Sequence, residues 1–391
     1  MNYSADQQEF FDQAIAGENI FLTGKAGTGK SFITKEVVKE LSKTKKVAVV
    51  APTGVAASNA GGATMHSTFS LPIHGLIEYK TCNFLKSKKR DVIDRIEVLF
   101  IDEISMVRPD MLDAVNWTMK KNGCKGLDEI QIIFVGDMAQ LKPVMDDNFK
   151  TMTLKKYKGL DFRYSNIFKK INCKTIELNE VLRQSDQEFI ENLNIVREGN
   201  KSSYFKKFVH TQTNGIVLAP HNATVKRYNQ IGLDSIKEPK MTFKAKIEGN
   251  AKEGDFNFES KLELKNGCKI MYLVNSKNNN LVNGTIGTFI VEDSNLFIKV
   301  GNERWLLEKY KLSKKEYVLN AKTDELELQE VGSIEQYPVK LAYAASIHRS
   351  QGLTFEEMSL DLSLPCFAEG QLYVGLSRVT SPKGLRIIVN R

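Results

Sequence analysis

The segment GKAGTGKS, residues 24–31, has glycines and a lysine spaced to hold a chain of phosphates. It fits the pattern G-x-x-x-x-G-K-[ST], follows the apolar stretch NIFLT and opens the helical stretch SFITKEVVKEL, which is the context the pattern requires. The glycines let backbone N–H groups curl around phosphates, and the helix N-terminus adds partial positive charge. We expect Lys30 to reach the β- and γ-phosphates and Ser31 to bind Mg²⁺. The rest of the predicted nucleotide cradle is Gly24, Ala26, Gly27, Thr28 and Gly29.

Two further apolar stretches end in residues that could act on such a nucleotide. FIDE, residues 100–103, ends in Asp102, which could hold Mg²⁺, and Glu103, which could polarise an attacking water. A strand that ends in solvent-exposed acids is the common alternative, and the upstream phosphate loop argues against it. Gln140, in GDMAQL, could sense the γ-phosphate or orient water, although this segment alone is a weak signal.

Short polar side chains follow another apolar stretch, in APTGVAASNAGGATMHSTF. Such side chains and accessible backbone suit nucleic-acid phosphates, and the candidates are Thr53, Gly54, His66 and Ser67. A turn with a capping threonine is the alternative, and composition alone favours it. Arg183 in VLRQ, and His348 and Arg349 in SIHRSQG, each read more simply as surface-loop residues when taken alone.

These candidates require elements that bring them together. NIFLTG, KKVAVVAPT, IEVLFIDE and EIQIIFVGD read as strands of a parallel sheet buried on both faces. Ligands of such sheets lie outside the carboxyl ends of the strands, where the candidate residues fall. A second α/β series begins with KTIELNEVLRQ and GIVLAPHN. The same series resumes near the end of the chain with a strand, a helix and a strand, in MSLDLS, AEGQLYVGLSRVT and LRIIVN.

The same patterns predict the domain organisation. Residues 1–170 form a first α/β domain, with a small irregular excursion over about 66–92. Residues 171–240 and 338–391 form a second α/β domain. Residues 241–337 form an inserted β-rich module, since LVNGTIGTFIVEDSNLFIKV carries an Asn-Gly turn signal and a further turn near Asp293–Asn295.

Composition limits the classes of function. The chain has 391 residues and a formal charge of +8, a mild basic excess that permits a polyanionic partner. Its five cysteines include no CxxC pair, which argues against a zinc site or a disulfide framework and favours a reducing compartment. No apolar run approaches the ~18 residues of a membrane span, and the polar N-terminus does not resemble a signal or transit peptide. We expect a cytoplasmic protein.

The chain resembles the petite-integration-frequency helicases, 5′→3′ DNA helicases of superfamily 1, group B, that are related to Dda and RecD. The resemblance runs from about Ser4 to the C-terminus. It is carried, in order, by GKAGTGKS, APTGVAASNAGGATMHSTF, FIDEISMV, GDMAQLKPV, VLRQSDQEFIENLNIVREG, NGTIG, SIHRSQGLTFEE and YVGLSRV. It implies two RecA-like P-loop domains with parallel sheets, a strand-separating wedge after His66 and a small β-barrel of the Src-homology type as the insert.

The resemblance also implies roles for single residues. Gln7 occupies the position of a glutamine that recognises adenine in the family, and Gly352 lies at one of the family's nucleotide-binding positions. Arg183 and Arg378 fall on two arginines that reach the γ-phosphate from the second domain. Lys30, Glu103 and Gln140 complete the catalytic set, and Ser31 and Asp102 the Mg²⁺ set. The residues in motifs that track single-stranded DNA are Thr53, Gly54, His66, Ser67 and His348.

The implied activity is ATP-dependent 5′→3′ translocation on single-stranded DNA with unwinding of forked duplex, by a monomer that uses ATP and Mg²⁺ and no membrane. The first alternative is a translocase or recombination subunit that unwinds poorly alone. A P-loop switch or kinase is a second alternative, and DNA stimulation of the ATPase would discriminate against it. A purely structural or binding protein fits least well, because magnesium-type acids accompany the P-loop.

Overall fold

The computed structural model describes residues 3–72, 75–143, 145–180, 186–276, 281–320 and 322–390. These residues fall into two compact units. The first unit comprises the described residues of 1–138, 142–183 and 314–331, and the second comprises those of 139–141, 184–313 and 332–391. In the described part of the chain, no helix combines the length and the apolarity needed to cross a membrane.

The first unit is an α/β layer structure around one parallel sheet. Its strands run in the order β3-β2-β4-β5-β1-β6, and every recorded pairing between them is parallel. Its elements are α1 (Ala5–Ile15), β1 (Ile20–Gly24), α2 (Lys30–Leu41), β2 (Val47–Ala51), α3 (Gly54–Ala60), β3 (Ala63–Thr64), α4 (Met65–Phe69), α5 (Ser87–Asp94), β4 (Val98–Ile101), α6 (Pro109–Lys121), β5 (Gln131–Val135), α7 (Asp147–Tyr157) and β6 (Lys174–Leu178).

Both faces of this sheet are covered, as the continuous apolar strands predict. Phe21 of β1 packs into an apolar cluster with Leu99, while its neighbours Ile20 and Leu22 pack into a second cluster with Phe100. Because successive strand residues point to opposite faces, the clusters lie on the two sides of the sheet. The predicted strands NIFLTG, KKVAVVAPT, IEVLFIDE and EIQIIFVGD are confirmed as β1, β2, β4 and β5.

The strand in KTIELNEVLRQ is present, but it belongs to a different sheet from the predicted one. We assigned it to the second domain, which was to begin at residue 171, but as β6 it pairs in parallel with β1 over Ile20–Gly24. It closes the first sheet at one edge, and its first two residues are exposed. The local pattern correctly indicates a strand but carries no information about which neighbour it pairs with.

The segment after His66 is an excursion made of short pieces. α4 and α5 flank a 3₁₀ turn at Tyr79–Thr81. Backbone N–H groups of this segment donate to side chains at the two ends of α6, from Ile77 to Asp110 at 2.9 Å and from Leu85 to the C-cap residue Asn122 at 2.8 Å. The excursion is therefore anchored along a single helix of the first unit.

The second unit begins with α8 (Gln187–Arg197), β7 (Ile216–Ala219) and α9 (Asn222–Asp234). The inserted module follows as antiparallel β-structure. Its strands are β8 (Lys240–Lys244), β9 (Lys246–Gly249), β10 (Lys261–Lys265), β11 (Lys269–Tyr272), β12 (Ile286–Glu292), β13 (Asn295–Val300), β14 (Glu303–Leu306), β15 (Tyr310–Leu319), β16 (Leu326–Gln336) and β17 (Val339–Leu341).

The turn predicted near Asp293–Asn295 is confirmed. Asp293 and Ser294 have φ of 47° and 66° and join β12 to β13. Positive φ at both central residues is the mark of the tight hairpin turn that matches the strand twist. The insert orders its strands as β14-β13-β12-β11-β17, β15-β16-β9 and β10-β8, and the pairings among described residues do not join these into one closed ring.

After the insert the chain returns to α/β structure with β18 (Ala344–Ser346), β19 (Met358–Asp361), α10 (Gln371–Leu376) and β20 (Leu385–Ile388). These strands form a parallel sheet in the order β18-β7-β19-β20. The predicted strands MSLDLS and LRIIVN are confirmed. The predicted helix in AEGQLYVGLSRVT is shorter than the segment, because its C-cap is Ser377 and Arg378 follows that cap.

Candidate nucleotide and nucleic-acid sites

The phosphate loop joins β1 to α2 in the geometry its glycines predict. Gly24, Gly27 and Gly29 all have positive φ, at 148°, 86° and 82°. A Cβ on Gly24 would lie 2.6 Å from the carbonyl oxygen of Leu178, so no larger residue fits there. Gly29 is the N-cap of α2, which leaves the helix N-terminus facing the loop.

Lys30 and Ser31 are the first residues of α2. The Lys30 ammonium donates to the carbonyl oxygens of Gly24 at 2.8 Å and Lys25 at 2.9 Å. These bonds hold the ammonium over the loop. Ser31 is exposed, so its hydroxyl is accessible at the start of the helix.

Asp102 and Glu103 follow β4 at the carboxyl edge of the same sheet. Burial raises the pKa of the Asp102 carboxyl, while the N–H of Glu103 and the charges of Lys30 and Lys35 oppose that rise. The Glu103 N–H donates to Asp102 Oδ1 at 2.9 Å, and Glu103 has φ of 50°. A non-glycine residue in the left-handed region is uncommon, and such residues cluster at functional sites.

This donor set fits Mg²⁺. Asp102 is half-buried, and a carboxylate withdrawn from water is costly unless a cation compensates it. Carboxylate and hydroxyl oxygens are the ligands that Mg²⁺ prefers. Asp102 provides the first and Ser31 the second. Among the described residues these two are the candidates for holding the ion, and the Lys30 charge lies close enough to influence Asp102.

Gln7 lies in α1, directly beside the phosphate loop. Its backbone N–H donates to the Ser4 hydroxyl and its side-chain oxygen accepts from the Ser4 N–H, both at 3.3 Å. Its amide nitrogen donates to the carbonyl oxygen of Thr28 at 3.4 Å. The capping box therefore orients the Gln7 amide against the loop, and its role towards adenine remains a prediction.

Gln140 belongs to the second compact unit, although its position in the sequence places it within the predicted first domain. It is buried, and its side-chain oxygen accepts a hydrogen bond from Gln351 at 3.2 Å. Gln351 lies in SIHRSQG, so the structure pairs two of the motifs within one unit. Gly352, the next residue, has φ of 81°, which a turn of this kind requires.

Arg378 is buried, at 2% relative exposure, which is unusual for a charged side chain. Its Nε donates to the carbonyl oxygen of Val374 at 2.9 Å, and its terminal nitrogens donate to Leu353 at 3.4 Å and to the Ser377 hydroxyl at 2.7 Å. The guanidinium is therefore held rigidly by its own unit, which the sequence does not indicate. Arg183 lies outside the described residues.

The candidates for nucleic-acid contact in the first unit gather at the ends of two adjacent strands. Thr53 and Gly54 follow β2, His66 and Ser67 follow β3, and β2 pairs with β3. The Thr53 hydroxyl accepts from the Ala56 N–H at 3.2 Å, so the capping role is present. Burial lowers the pKa of His66, the charge of Arg108 lowers it further, and Asp110 opposes.

Arg108 and Asp110 were missed by the sequence reasoning. Arg108 donates twice to Asp110, at 2.9 and 3.0 Å, and lies 4.7 Å from the ring centre of Phe149. Asp110 also anchors the excursion through Ile77. In the sequence RPD resembles an ordinary helix start, with proline and an acid in the first turn, and that signal gives no hint of the pairing.

His348 lies beyond β18 in the second unit, away from the sequence neighbourhood of the other nucleic-acid candidates. Its ring stacks on Phe367, with centroids 5.9 Å apart and planes at 17°. Burial lowers the pKa of His348, which favours the neutral ring. Phe367 is a third residue that sequence reasoning did not identify, because one phenylalanine among the 21 carries no distinguishing pattern.

Together the parallel sheets, the phosphate loop and the acid pair at the end of β4 define a P-loop nucleotide hydrolase with a second α/β unit. The model of the PIF1-like helicase family matches residues 2–221. The chain belongs to the PIF1-like helicase family.

Two bacterial relatives align over nearly the whole chain. It is 30% identical to the ATP-dependent DNA helicase Pif1 of Campylobacter jejuni, over 96% of this chain and 90% of that protein. It is 32% identical to the ATP-dependent DNA helicase Pif1 of Bdellovibrio bacteriovorus, over 98% of this chain and 87% of that protein.

Solved structures agree with the family. Bacteroides Pif1 in complex with ADP-AlF4 matches with a TM-score of 0.88 at 30% identity, over 99% of this chain and 92% of that one. A Bacteroides Pif1 bound to single-stranded DNA matches with a TM-score of 0.70 at 31% identity, over 99% of this chain and 92% of that one. The α/β fold class and the helicase resemblance predicted from the sequence are confirmed.

Proposed function

We propose that this PIF1-like helicase couples the hydrolysis of Mg-ATP to 5′→3′ movement along single-stranded DNA and unwinds the duplex ahead of it. The observation that carries the proposal is the half-buried Asp102 within the electrostatic reach of Lys30, at the carboxyl edge of a RecA-like sheet. We infer the DNA substrate from the family, and the 5′→3′ direction of movement from the resemblance to superfamily 1, group B.

The phosphate loop and Lys30 bind and orient the phosphate chain. Lys30 is already held over the loop by two carbonyl oxygens, so little ordering remains when a phosphate arrives. Mg²⁺ held by Asp102 and Ser31 would neutralise charge on the phosphates. Phosphoryl transfer needs mainly such positioning and electrostatic stabilisation.

Glu103 is the residue we assign to the attacking water. Glu103 follows Asp102 directly, and its backbone N–H donates to the Asp102 carboxylate, which fixes the Glu103 backbone beside that carboxylate. Accepting a proton from, or polarising, the water is general-base work. Arg378 is assigned to the charge that develops on the γ-phosphate, with Arg183 as its counterpart and Gln140 as the sensor.

Thr53, Gly54, His66, Ser67 and His348 are assigned to the DNA strand. Hydroxyl and backbone groups position a strand through its phosphates and carry no base preference. This suits a motor that must pass over any sequence. The substrates we propose are single-stranded DNA and forked duplex, and a single chain suffices because it carries the P-loop, the acids and the arginines itself.

The proposal is tested by steady-state ATP hydrolysis with and without an oligothymidylate. We expect single-stranded DNA to raise the turnover of the wild-type protein and to have no effect on Lys30→Ala, which lacks the ammonium that orients the phosphates. Phosphate contacts also predict that the DNA concentration needed for half-stimulation rises with salt. An ATPase that single-stranded DNA does not raise would overturn the proposal and favour a P-loop switch or kinase.

A further inference from the structure

A buried ion pair at the start of α6 takes no part in the nucleotide site. Arg108 is the N-cap of this helix, and its guanidinium donates twice to the Asp110 carboxylate, at 2.9 and 3.0 Å. The Asp110 side chain is fully buried, and that of Arg108 is 18% exposed. Such a pair contributes little to stability, because apolar side chains of similar volume are often as stable in its place. Its presence calls for a role other than folding.

Asp110 joins this ion pair to the excursion of about 66–92. Its Oδ2 accepts from the Ile77 N–H at 2.9 Å as well as from Arg108. Ile77 is fully buried within the apolar cluster on one face of the first sheet, so water does not replace this bond. The backbone of the excursion is therefore fixed here by a charged acceptor, and Arg108 sets the orientation of that acceptor.

The face of the Arg108 guanidinium lies against α7. Its central carbon lies 4.7 Å from the ring centre of Phe149, a distance at which a cation and an aromatic ring attract each other. Two parallel hydrogen bonds on one edge and an aromatic ring on one face leave the planar guanidinium a single orientation. Asp110 is consequently held by a rigid partner.

A short buried segment connects Arg108 to the acid pair. After Glu103 the chain makes one 3₁₀ turn. In this turn the N–H groups of Met106 and Val107 donate to the carbonyl oxygens of Glu103 and Ile104, both at 3.0 Å. Ile104 and Val107 are fully buried. The segment has little freedom, so the position of Arg108 follows that of Glu103.

The outer surface of the excursion suits a nucleic acid. Lys86 and Lys88 are exposed on it, and Tyr79 and Phe84 are 54% and 77% exposed. Basic side chains bind strand phosphates, and exposed aromatic rings contact bases. The excursion therefore presents a surface for DNA, and the Asp110 carboxylate holds its backbone from the inner side.

We propose that Asp110, oriented by Arg108, is a positioning residue that holds the excursion in a fixed relation to the acid pair while the excursion bears against the duplex. Strand separation then depends on the ion pair, and ATP hydrolysis on single-stranded DNA does not. The inference rests on the proposed function, because it assumes that the chain unwinds a duplex. It deepens that function by naming residues that support strand separation through the excursion.

The test compares the wild type with Asp110→Asn, which keeps an oxygen for the Ile77 N–H but loses the charge that aligns Arg108. Unwinding of a duplex with a 5′ single-stranded tail and ATP turnover on saturating oligothymidylate are measured on the same preparations. Opening one base-pair step is a factor of about ten on average, so a loosened support predicts unwinding at least about 10-fold slower. Turnover is expected to remain close to that of the wild type, because no group that acts on the phosphates is changed.

The double variant Arg108→Met with Asp110→Asn separates positioning from folding. It removes both buried charges together, and neutral replacements of this kind often restore stability. We expect a thermal midpoint close to that of the wild type and unwinding as slow as in Asp110→Asn. Recovery of both stability and unwinding would show that the pair serves folding alone and would overturn the proposal. A turnover that falls in the same proportion as unwinding would overturn it as well.

Arg163 and Asp161 provide a matched control in the same unit. Arg163 donates twice to the Asp161 carboxylate, at 2.9 and 3.0 Å, which is the geometry of the Arg108 pair. Asp161 caps the 3₁₀ turn at Phe162–Tyr164 instead of receiving the excursion. Arg163→Met with Asp161→Asn should therefore unwind the duplex as the wild type does.

Hydrogen exchange shows whether the excursion is released. In Asp110→Asn the Ile77 amide should exchange faster, because a neutral amide oxygen is a weaker acceptor than a carboxylate. Exchange at Leu99, within β4 of the first sheet, should not change. Unchanged exchange at Ile77 would contradict the proposed positioning.

These outcomes are distinguishable from failure of the proposed function. If the wild type does not separate the duplex with a 5′ tail, the function itself fails, whatever the variants do. If the wild type separates it and Asp110→Asn separates it equally fast, only the positioning role fails.

Discussion

At the scale of single residues, the nucleotide site is largely visible in the sequence. GKAGTGKS specifies a loop that needs positive φ, and the structure has positive φ at Gly24, Gly27 and Gly29. The conformation and environment of the acid pair beside this loop are less evident from the sequence. The left-handed conformation of Glu103 and the partial burial of Asp102 arise from tertiary contacts, and no local pattern encodes them.

Glu103→Gln is the sharpest test of the acid pair. The amide keeps the shape of the carboxylate but cannot act as a base, so we expect nucleotide affinity to stay within a few-fold of wild type. Turnover should fall by roughly 10²- to 10⁴-fold. Equilibrium binding of a fluorescent nucleotide and steady-state hydrolysis measure the two quantities. Turnover close to that of wild type would remove Glu103 from the mechanism.

Arg378 requires a prediction in two parts, because the structure buries it. Arg378→Ala would remove the guanidinium hydrogen bonds to the carbonyl oxygens of Val374 and Leu353 and open a cavity, so we expect both a lower thermal midpoint and lost turnover. Arg378→Lys keeps the positive charge and most of the volume, and should lose less stability. If Arg378 is an arginine finger, a residue that stabilises the charge on the γ-phosphate during hydrolysis, Arg378→Lys should still reduce turnover by about 10³-fold. The reason is that the lysine ammonium cannot reproduce the paired N–H donors of the guanidinium.

The measurements are the thermal midpoint and the turnover at saturating ATP, made on the same preparations. Turnover that falls only in step with the thermal midpoint indicates a structural residue. A turnover near wild type in Arg378→Lys contradicts the finger assignment directly.

At the scale of elements, the strands could be predicted and their partners could not. The strands with continuous apolar runs lie in the interior of the first sheet as expected. β6 has a partly exposed pattern and closes that sheet at its edge, where the sequence order suggested a new domain. Pairing is a long-range choice, and it is not determined by the five residues of the strand itself.

The hairpin of β15 and β16 shows the same limit. It begins in the inserted module, yet residues 314–331 belong to the first compact unit. The Tyr317 hydroxyl accepts from the N–H of Val49 at 2.7 Å, and Asp324 pairs with Lys46 and Arg95. Burial raises the pKa of Tyr317 to about 12. The hairpin therefore contacts the first unit through side chains, at β2 and at charged residues beside it.

Tyr317→Phe tests this contact. Removing the hydroxyl leaves the Val49 N–H without its acceptor, at a cost of about 1–3 kcal/mol. We expect faster hydrogen exchange at the Val49 amide, measured by NMR or mass spectrometry. Tyr310→Phe is the control, because Tyr310 lies on the same strand and is 37% exposed. Unchanged exchange in Tyr317→Phe would show that the hydroxyl contributes nothing to this edge.

At the scale of the whole molecule, the family and the fold class could be inferred from ordered motifs spread over nearly the full chain. The compact units could not, because Gln140 and the hairpin residues each join a unit other than the one their sequence position suggests. The net charge of +8 agrees with a polyanionic partner but indicates nothing about direction of travel. Direction is a property of the whole motor acting on a strand.

The central claim is therefore tested by unwinding of two matched forked duplexes, one with only a 5′ single-stranded loading tail and the other with only a 3′ tail. We predict ATP-dependent strand separation from the 5′ tail, none from the 3′ tail, and none with Lys30→Ala. Separation from the 3′ tail alone would contradict the account. So would DNA-stimulated hydrolysis without separation of either fork, which would identify a translocase.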